Sequence, residues 1–158
     1  MKKIAKAVFV FFIISFLCIN FSEAQSKISQ NFILNSLKGE SVSLNSFRKN
    51  KSVLLLFWTT WCPFCRDQLL VVKDKYLELK KNNLELLAIN IGESPNVVER
   101  FVNLRGLPYR VLLDRNSEAA KKFNVLGIPT YVLIDKNGNI LYNDNVFPDR
   151  QLKKLFSK

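Results

Sequence analysis

The chain has 158 residues, 48% of them apolar, and a formal charge of +11. That length suits one domain plus a short leader, with a single core. It has no internal repeat, and no basic run reaches the roughly five residues that suggest a polyanion patch, so nucleic acid is not an expected partner.

Lys2, Lys3 and Lys6 precede an apolar run from Ala7 to Ile19 that only Ser15 interrupts. Ser22-Glu23-Ala24 then places small residues where a cut before Gln25 needs them. This is the layout of a secretory signal peptide over residues 1–24, with a retained N-terminal anchor as the alternative. The run falls short of the ~18 residues of a spanning helix. Leu17 stands where a lipoprotein site wants a small residue, which argues against lipidation of Cys18. The leader carries three lysines and one glutamate, leaving +9 on residues 25–158. Arg48-Lys49, Lys80-Lys81, Lys121-Lys122 and Lys153-Lys154 read as solvated faces or element ends. Attraction to anionic membranes or acidic partners stays open.

Residues 32–34 and 42–44 alternate around Lys38-Gly39-Glu40, a short hairpin. Val53 to Trp58 is continuously apolar, as in a strand covered on both faces. A long amphipathic helix follows from the cysteines to about Asn82, with Leu69, Val72, Tyr76, Leu77 and Leu79 at helical spacing. Leu84 to Ile91 is a second buried strand. Ser94 and Pro95 open another helix as N-cap and first residue, striped by Val97, Val98, Phe101 and Val102. A strand at 109–113, a short helix at 117–123 and a strand at 130–134 come next. Asn137-Gly138 reads as a two-residue hairpin turn into 140–142. Residues 148–156 form a basic amphipathic helix. Strands alternating with helices indicate an α/β sandwich around a mixed sheet.

The chemistry concentrates in FWTTWCPFC, residues 57–65. With the leader removed, Cys62 and Cys65 are the only cysteines of the chain, and there is no histidine. A loop of two intervening residues constrains the unfolded chain little beside the ~3 kcal/mol of a 15-residue loop, so a structural staple is a weak reading. Zinc wants about four ligands, which residues 25–158 cannot supply from cysteine and histidine. Copper(I) on the two sulfurs stays open.

With Pro63 as the first helical residue, Cys62 is the N-cap, and the free N–H groups of Phe64 and Cys65 point at its sulfur. These donors and the helix dipole favour a thiolate, taking Cys62 below the free value of about 8.5. Cys65, one turn in, remains a shielded thiol. Cys62 is therefore the attacking sulfur and Cys65 the resolving one, and the redox pair itself is the only cofactor needed. Trp58 reads as core and Arg66 as solvated. Trp61 beside the nucleophile shapes a substrate face or packs under the loop. Phe64 touches substrate or reductant, or covers Trp61 or Pro129.

F-W-x-x-W-C-x-x-C after a buried strand, with Gly127-Ile128-Pro129-Thr130 before a later one, resembles the thioredoxin fold. "SLNSFRKNKSVLLLFWTTWCPFC", "NIGES" and "YRVLLDRNSEAAKKFNVLGIPTYVLIDKNGNIL" are similar to exported TlpA/ResA-like thiol–disulfide oxidoreductases. The resemblance covers about residues 30–145. It implies a thioredoxin-like α/β domain over 25–158, a central mixed sheet flanked by helices on both faces, with an N-terminal β-hairpin extension. It implies that Pro129 is the cis-proline lying against the disulfide. Ile128 would offer its backbone to an incoming peptide, and Glu93 matches an acidic residue near the redox pair.

Two departures from the family stand out. Thioredoxins proper carry a buried acid where this chain has Leu56, so a carboxylate that deprotonates Cys65 must come from elsewhere. Glu93 is the candidate, its pKa raised by partial burial; an ordinary acid near a helix start is the plainer reading. The Pro63-Phe64 dipeptide between the cysteines is the second departure, and would tune potential and partner choice.

The implied function is an exported thiol–disulfide oxidoreductase of protein substrates, at the periplasm or extracytoplasmic membrane face. A reductase direction is favoured, as in cytochrome c maturation, fed by a membrane electron donor, with the protein a monomer. The lack of a histidine between the cysteines removes one device of strong oxidants. Thr59-x-x-Cys62 matches part of a peroxiredoxin motif, but Leu55 stands where its proline belongs. A thiol peroxidase, a Cu(I) carrier and a partner-docking module are the alternatives.

Overall fold

The computed structural model describes residues 29–157; the expected leader or anchor over residues 1–24 lies outside them. Seven strands form one mixed sheet: β1 (Ile33–Ser36), β2 (Ser41–Ser43), β3 (Ser52–Trp58), β4 (Leu84–Ile91), β5 (Arg110–Asp114), β6 (Thr130–Ile134) and β7 (Ile140–Asp144). Their spatial order is β2-β1-β5-β4-β3-β6-β7. β3, β4 and β5 are parallel, linked by α1 (Pro63–Lys81) and α2 (Pro95–Arg105). The hairpins β1–β2 and β6–β7 join antiparallel at either side. α3 (Glu118–Lys122) and α4 (Asp149–Phe156) complete the chain.

β3 lies inside the sheet between β4 and β6, which explains its unbroken apolar sequence. Side chains alternate across a strand, so Leu54, Leu56 and Trp58 enter one core with Cys65, Leu69, Val72 and Leu79 of α1, Val98 of α2 and Leu152 of α4. Val53, Leu55 and Phe57 enter the other, with Phe32, Val42, Leu44 and Ala119, Ala120 and Phe123 around α3. Helices thus cover both faces. Leu56, standing where a buried acid was sought, is 0% exposed among apolar neighbours.

Three details differ from the sequence reading. Leu77 is 68% exposed and Val97 48% exposed. At about 100° per residue each falls beyond the edge of its helix's buried stripe, one position from a neighbour that belongs to it. The Asn137-Gly138 turn is a three-residue loop: Asp135 N–H donates to the Asn139 carbonyl at 3.0 Å, and Gly138 takes φ 90°. The Asp135 carboxylate selects this form by accepting the N–H groups of Asn137 and Asn139 at 2.9 and 2.8 Å. A bulge between Leu133 and Ile134 absorbs the extra residue.

α3 is capped from a distance. Ser117, which precedes it, has φ 58° and gives no side-chain hydrogen bond. The carboxylate of buried Asp114 at the end of β5 accepts the N–H groups of Ala119 and Ala120 at 3.1 and 2.8 Å.

Candidate active site

β3 ends at Trp58 and α1 begins at Pro63, whose fixed φ suits a first helical residue. Cys62 is the N-cap with extended backbone (φ −80°, ψ 112°), and its sulfur accepts the Cys65 N–H at 3.1 Å. Of the two donors expected there, Cys65 makes the bond. Cys62 and Cys65 are joined as a disulfide with Cα atoms 5.3 Å apart. Cys62 is 4% exposed and Cys65 0%, so the attacking position of the pair is the one nearer solvent.

The Ile128–Pro129 peptide bond is cis, and the Ile128 carbonyl oxygen lies 3.9 Å from the Cys62 sulfur. A disulfide sulfur has no proton to give, so this is a van der Waals contact in the oxidised state. In the dithiol state the Cys62 S–H can donate to that oxygen. Two side chains hold the loop around it. Thr130 Oγ1 donates to the Gly127 carbonyl at 2.5 Å, and Asn145 Nδ2 donates to the Pro129 carbonyl and to Thr130 Oγ1. Asn145, which belongs to no recognisable motif, lies 16 residues beyond Pro129 and returns through the β6–β7 hairpin.

Glu93 follows β4 through Gly92, which turns the chain at φ 73°. Its Oε2 accepts the Thr60 N–H at 2.7 Å and the Asn90 side-chain amide at 2.6 Å; its Oε1 accepts the Thr60 hydroxyl at 2.5 Å. Arg66 Nε donates to the Thr60 carbonyl at 2.9 Å, so this exposed side chain is pinned rather than freely solvated. Thr60 is thereby held at its N–H, hydroxyl and carbonyl, two residues ahead of Cys62.

Exposed apolar side chains flank the cysteines in sequence and stand on the segments at either end of the cis-proline loop's contacts. Trp61 is 65% exposed, Phe64 75%, Leu126 90% and Val146 66%. Pro63 is exposed at the helix start, Pro129 is buried and Ile128 is half-buried. An open groove of about 630 Å³ runs beside the pair, lined by Phe64, Gln68, Val71, Ile128, Pro129 and Val146 among others. Among the described residues no three of His, Cys, Asp or Glu converge as metal ligands. None of the described helices is long and apolar enough to cross a membrane.

A CxxC pair at a helix start, set against a cis-proline loop at the end of a mixed sheet, places the chain in the thioredoxin-like class. Residues 26–143 match the model of the AhpC/TSA family, and the chain belongs to that family. It is 37% identical over 102 residues to the thiol-disulfide oxidoreductase ResA of Geobacillus kaustophilus, covering 65% of this chain and 58% of that protein. Identity to ResA of Bacillus subtilis is 30% over 104 residues, 66% of this chain and again 58% of the relative. The match therefore spans less than two thirds of the length of these curated relatives. The crystal structure of StoA from Bacillus subtilis superposes with a TM-score of 0.68 at 26% identity, over 83% of this chain and 98% of that one.

Proposed function

We propose that the protein is a thiol–disulfide oxidoreductase acting on protein substrates through Cys62 and Cys65. The observation that carries this reading is the Cys62 sulfur at the head of α1, accepting the Cys65 N–H and facing the Ile128 carbonyl beside an open groove. The likeness to ResA over residues of this same domain supports it.

As a reductase, the dithiol form starts the cycle. The Cys62 thiolate attacks one sulfur of a substrate disulfide, the substrate S–S bond breaks, and the departing thiolate takes a proton. Cys65 then loses its proton and attacks the Cys62 sulfur of the mixed disulfide, releasing the second substrate thiol. The substrate has gained two electrons and two protons, and the protein is left with the Cys62–Cys65 disulfide. An external dithiol must return it to the starting state. Glu93 holds Thr60 ahead of the nucleophile, and we assign it a part in moving the Cys65 proton. Trp61, Pro63 and Phe64 supply substrate contacts, and the Ile128 backbone offers pairing to an extended peptide.

The finer reading is an exported protein at the periplasmic or extracytoplasmic membrane face, monomeric, held there by its N-terminal segment or freed by cleavage. It reduces specific protein disulfides, as in cytochrome c maturation, and draws electrons from a membrane donor. Two measurements decide the core of this. The Cys65→Ala variant should accumulate mixed disulfides through Cys62, identifiable by mass spectrometry, and the absence of adducts defeats thiol exchange. A reduction potential near or above the ~−120 mV of a general disulfide-forming enzyme would reverse the direction. Peroxide consumption by Cys65→Ser would favour a thiol peroxidase instead.

A further inference from the structure

We propose that Asn145 is a positioning residue for Cys62, and that it ties the cis-proline loop to the groove wall that a substrate touches. The inference rests on the thiol-exchange reading above.

Asn145 follows the end of β7, next to Val146, and its own N–H is fixed by the Asp144 carboxylate at 2.6 Å. Its amide nitrogen has two protons, and both are used: one on the Pro129 carbonyl, the other on Thr130 Oγ1 at 3.1 Å. The Thr130 hydroxyl, having accepted, spends its single proton on the Gly127 carbonyl. Hydrogen bonds therefore run from Asn145 to the carbonyls on either side of Ile128. The Ile128 carbonyl between them faces the Cys62 sulfur. The amide orientation is dictated by chemistry, because an oxygen placed against the Pro129 carbonyl would oppose two acceptors.

A carbonyl oxygen facing a thiol accepts S–H and opposes S⁻, so it favours the protonated form of Cys62. The Cys65 N–H acts the other way. Asn145 keeps the first of these opposing groups in place. Because Asn145 and Val146 both line the groove, a peptide seated there bears on the segment that sets the carbonyl. Loss of the Asn145 donor should then have two effects of opposite sense. Cys62 ionises more readily, while the Ile128 edge is less well placed for an incoming peptide.

The test uses the reduced full chain. In Asn145→Ala, iodoacetamide should label Cys62 at pH 6 about threefold to fivefold faster, with the midpoint of the rate–pH profile at lower pH. That is the scale of one net hydrogen bond. KM for a peptide disulfide should rise by a similar factor. Asn145→Leu, of similar volume, uncharged and without a donor, should follow the same direction, and Asn145→Gln should recover part of both effects. Asn143→Ala is the matched control: its amide, two residues earlier in β7, donates to the Phe123 carbonyl at 3.0 Å. It should alter neither readout. Wild-type labelling rates in both Asn145→Ala and Asn145→Leu overturn the proposal, as does the same change in Asn143→Ala. If the wild-type chain exchanges with no peptide disulfide, the functional reading fails, and the labelling rates still judge Asn145.

Discussion

Glu93 accepts both donors of Thr60, the N–H at 2.7 Å and the hydroxyl at 2.5 Å, and so fixes the approach to Cys62 from the end of a neighbouring strand. Hydrogen bonds to a carboxylate contribute about 1.5–3 kcal/mol each. Glu93→Ala loses three such bonds at a half-buried site where water replaces part of them, and should lower stability by about 2–3 kcal/mol in urea titration. Glu93→Gln keeps the shape but turns an amide group toward a donor. It should reduce kcat/KM for a protein disulfide by at least about tenfold while destabilising less than alanine does. Activity of Glu93→Gln equal to wild type would remove Glu93 from the proton path.

The exposed ring of Phe64 contributes to the groove rather than to the core. Phe64→Ala should leave the melting temperature within error. It should raise KM for a protein disulfide about fivefold, on the order of 1 kcal/mol of apolar contact. Reduction of a small disulfide such as oxidised glutathione should be unchanged. A parallel loss with both substrates would mean that Phe64 acts on the redox pair and not on the partner.

Asp114 caps α3 through Ala119 and Ala120 while lying buried at the end of β5. Asp114→Ala should cost about 1–2 kcal/mol, read as a lower urea midpoint at unchanged slope. Asp114→Ser, whose short hydroxyl cannot span the loop, should not restore it. Ser117→Ala should be nearly neutral, because that side chain makes no cap bond.

Burial pushes the Tyr109 phenol well above the ordinary value of 10.0, with a smaller push from Tyr131, which burial raises in turn. Both folded-state values exceed the unfolded one, so the unfolded chain gives up these protons first. The stability they support is complete below pH 10 and declines above it. Denaturant midpoints should hold between pH 8 and 9.5 and fall at pH 11. Tyr109 also donates to the Leu69 carbonyl at 2.8 Å. Tyr109→Phe should cost about 1 kcal/mol at pH 8 and show a shallower alkaline decline. An unchanged decline would place the alkaline sensitivity elsewhere.

Much of this was legible from short-range signals. Pro63 after a six-residue apolar run marks a strand meeting a helix, and the CxxC spacing places both sulfurs within one turn of it. Such features depend on neighbours a few residues apart, so local sterics and period decide them. The two hairpins and the alternation of strands with helices followed from the same kind of pattern. Edges of helical stripes were less legible, as Leu77 and Val97 show, because one position separates burial from solvent.

Local residue patterns are enough for the redox pair, its place at a helix start and the order of the elements around it. Tertiary structure decided which distant groups meet there. The parallel register that sets Trp58 opposite Asn90 brings Glu93 to Thr60, and the β6–β7 hairpin returns Asn145 to Pro129. Sheet register, the bulge at Leu133/Ile134 and the three-residue turn fix these meetings. They are long-range, and the residue types involved (a glutamate, a threonine, two asparagines) carry no local pattern. Their partners exist only once the sheet has assembled, so the Thr60, Asn90 and Asn145 contacts that hold the loops around Cys62 come from the fold, while the Cys65 N–H donor and the nearness of Glu93 were already expected.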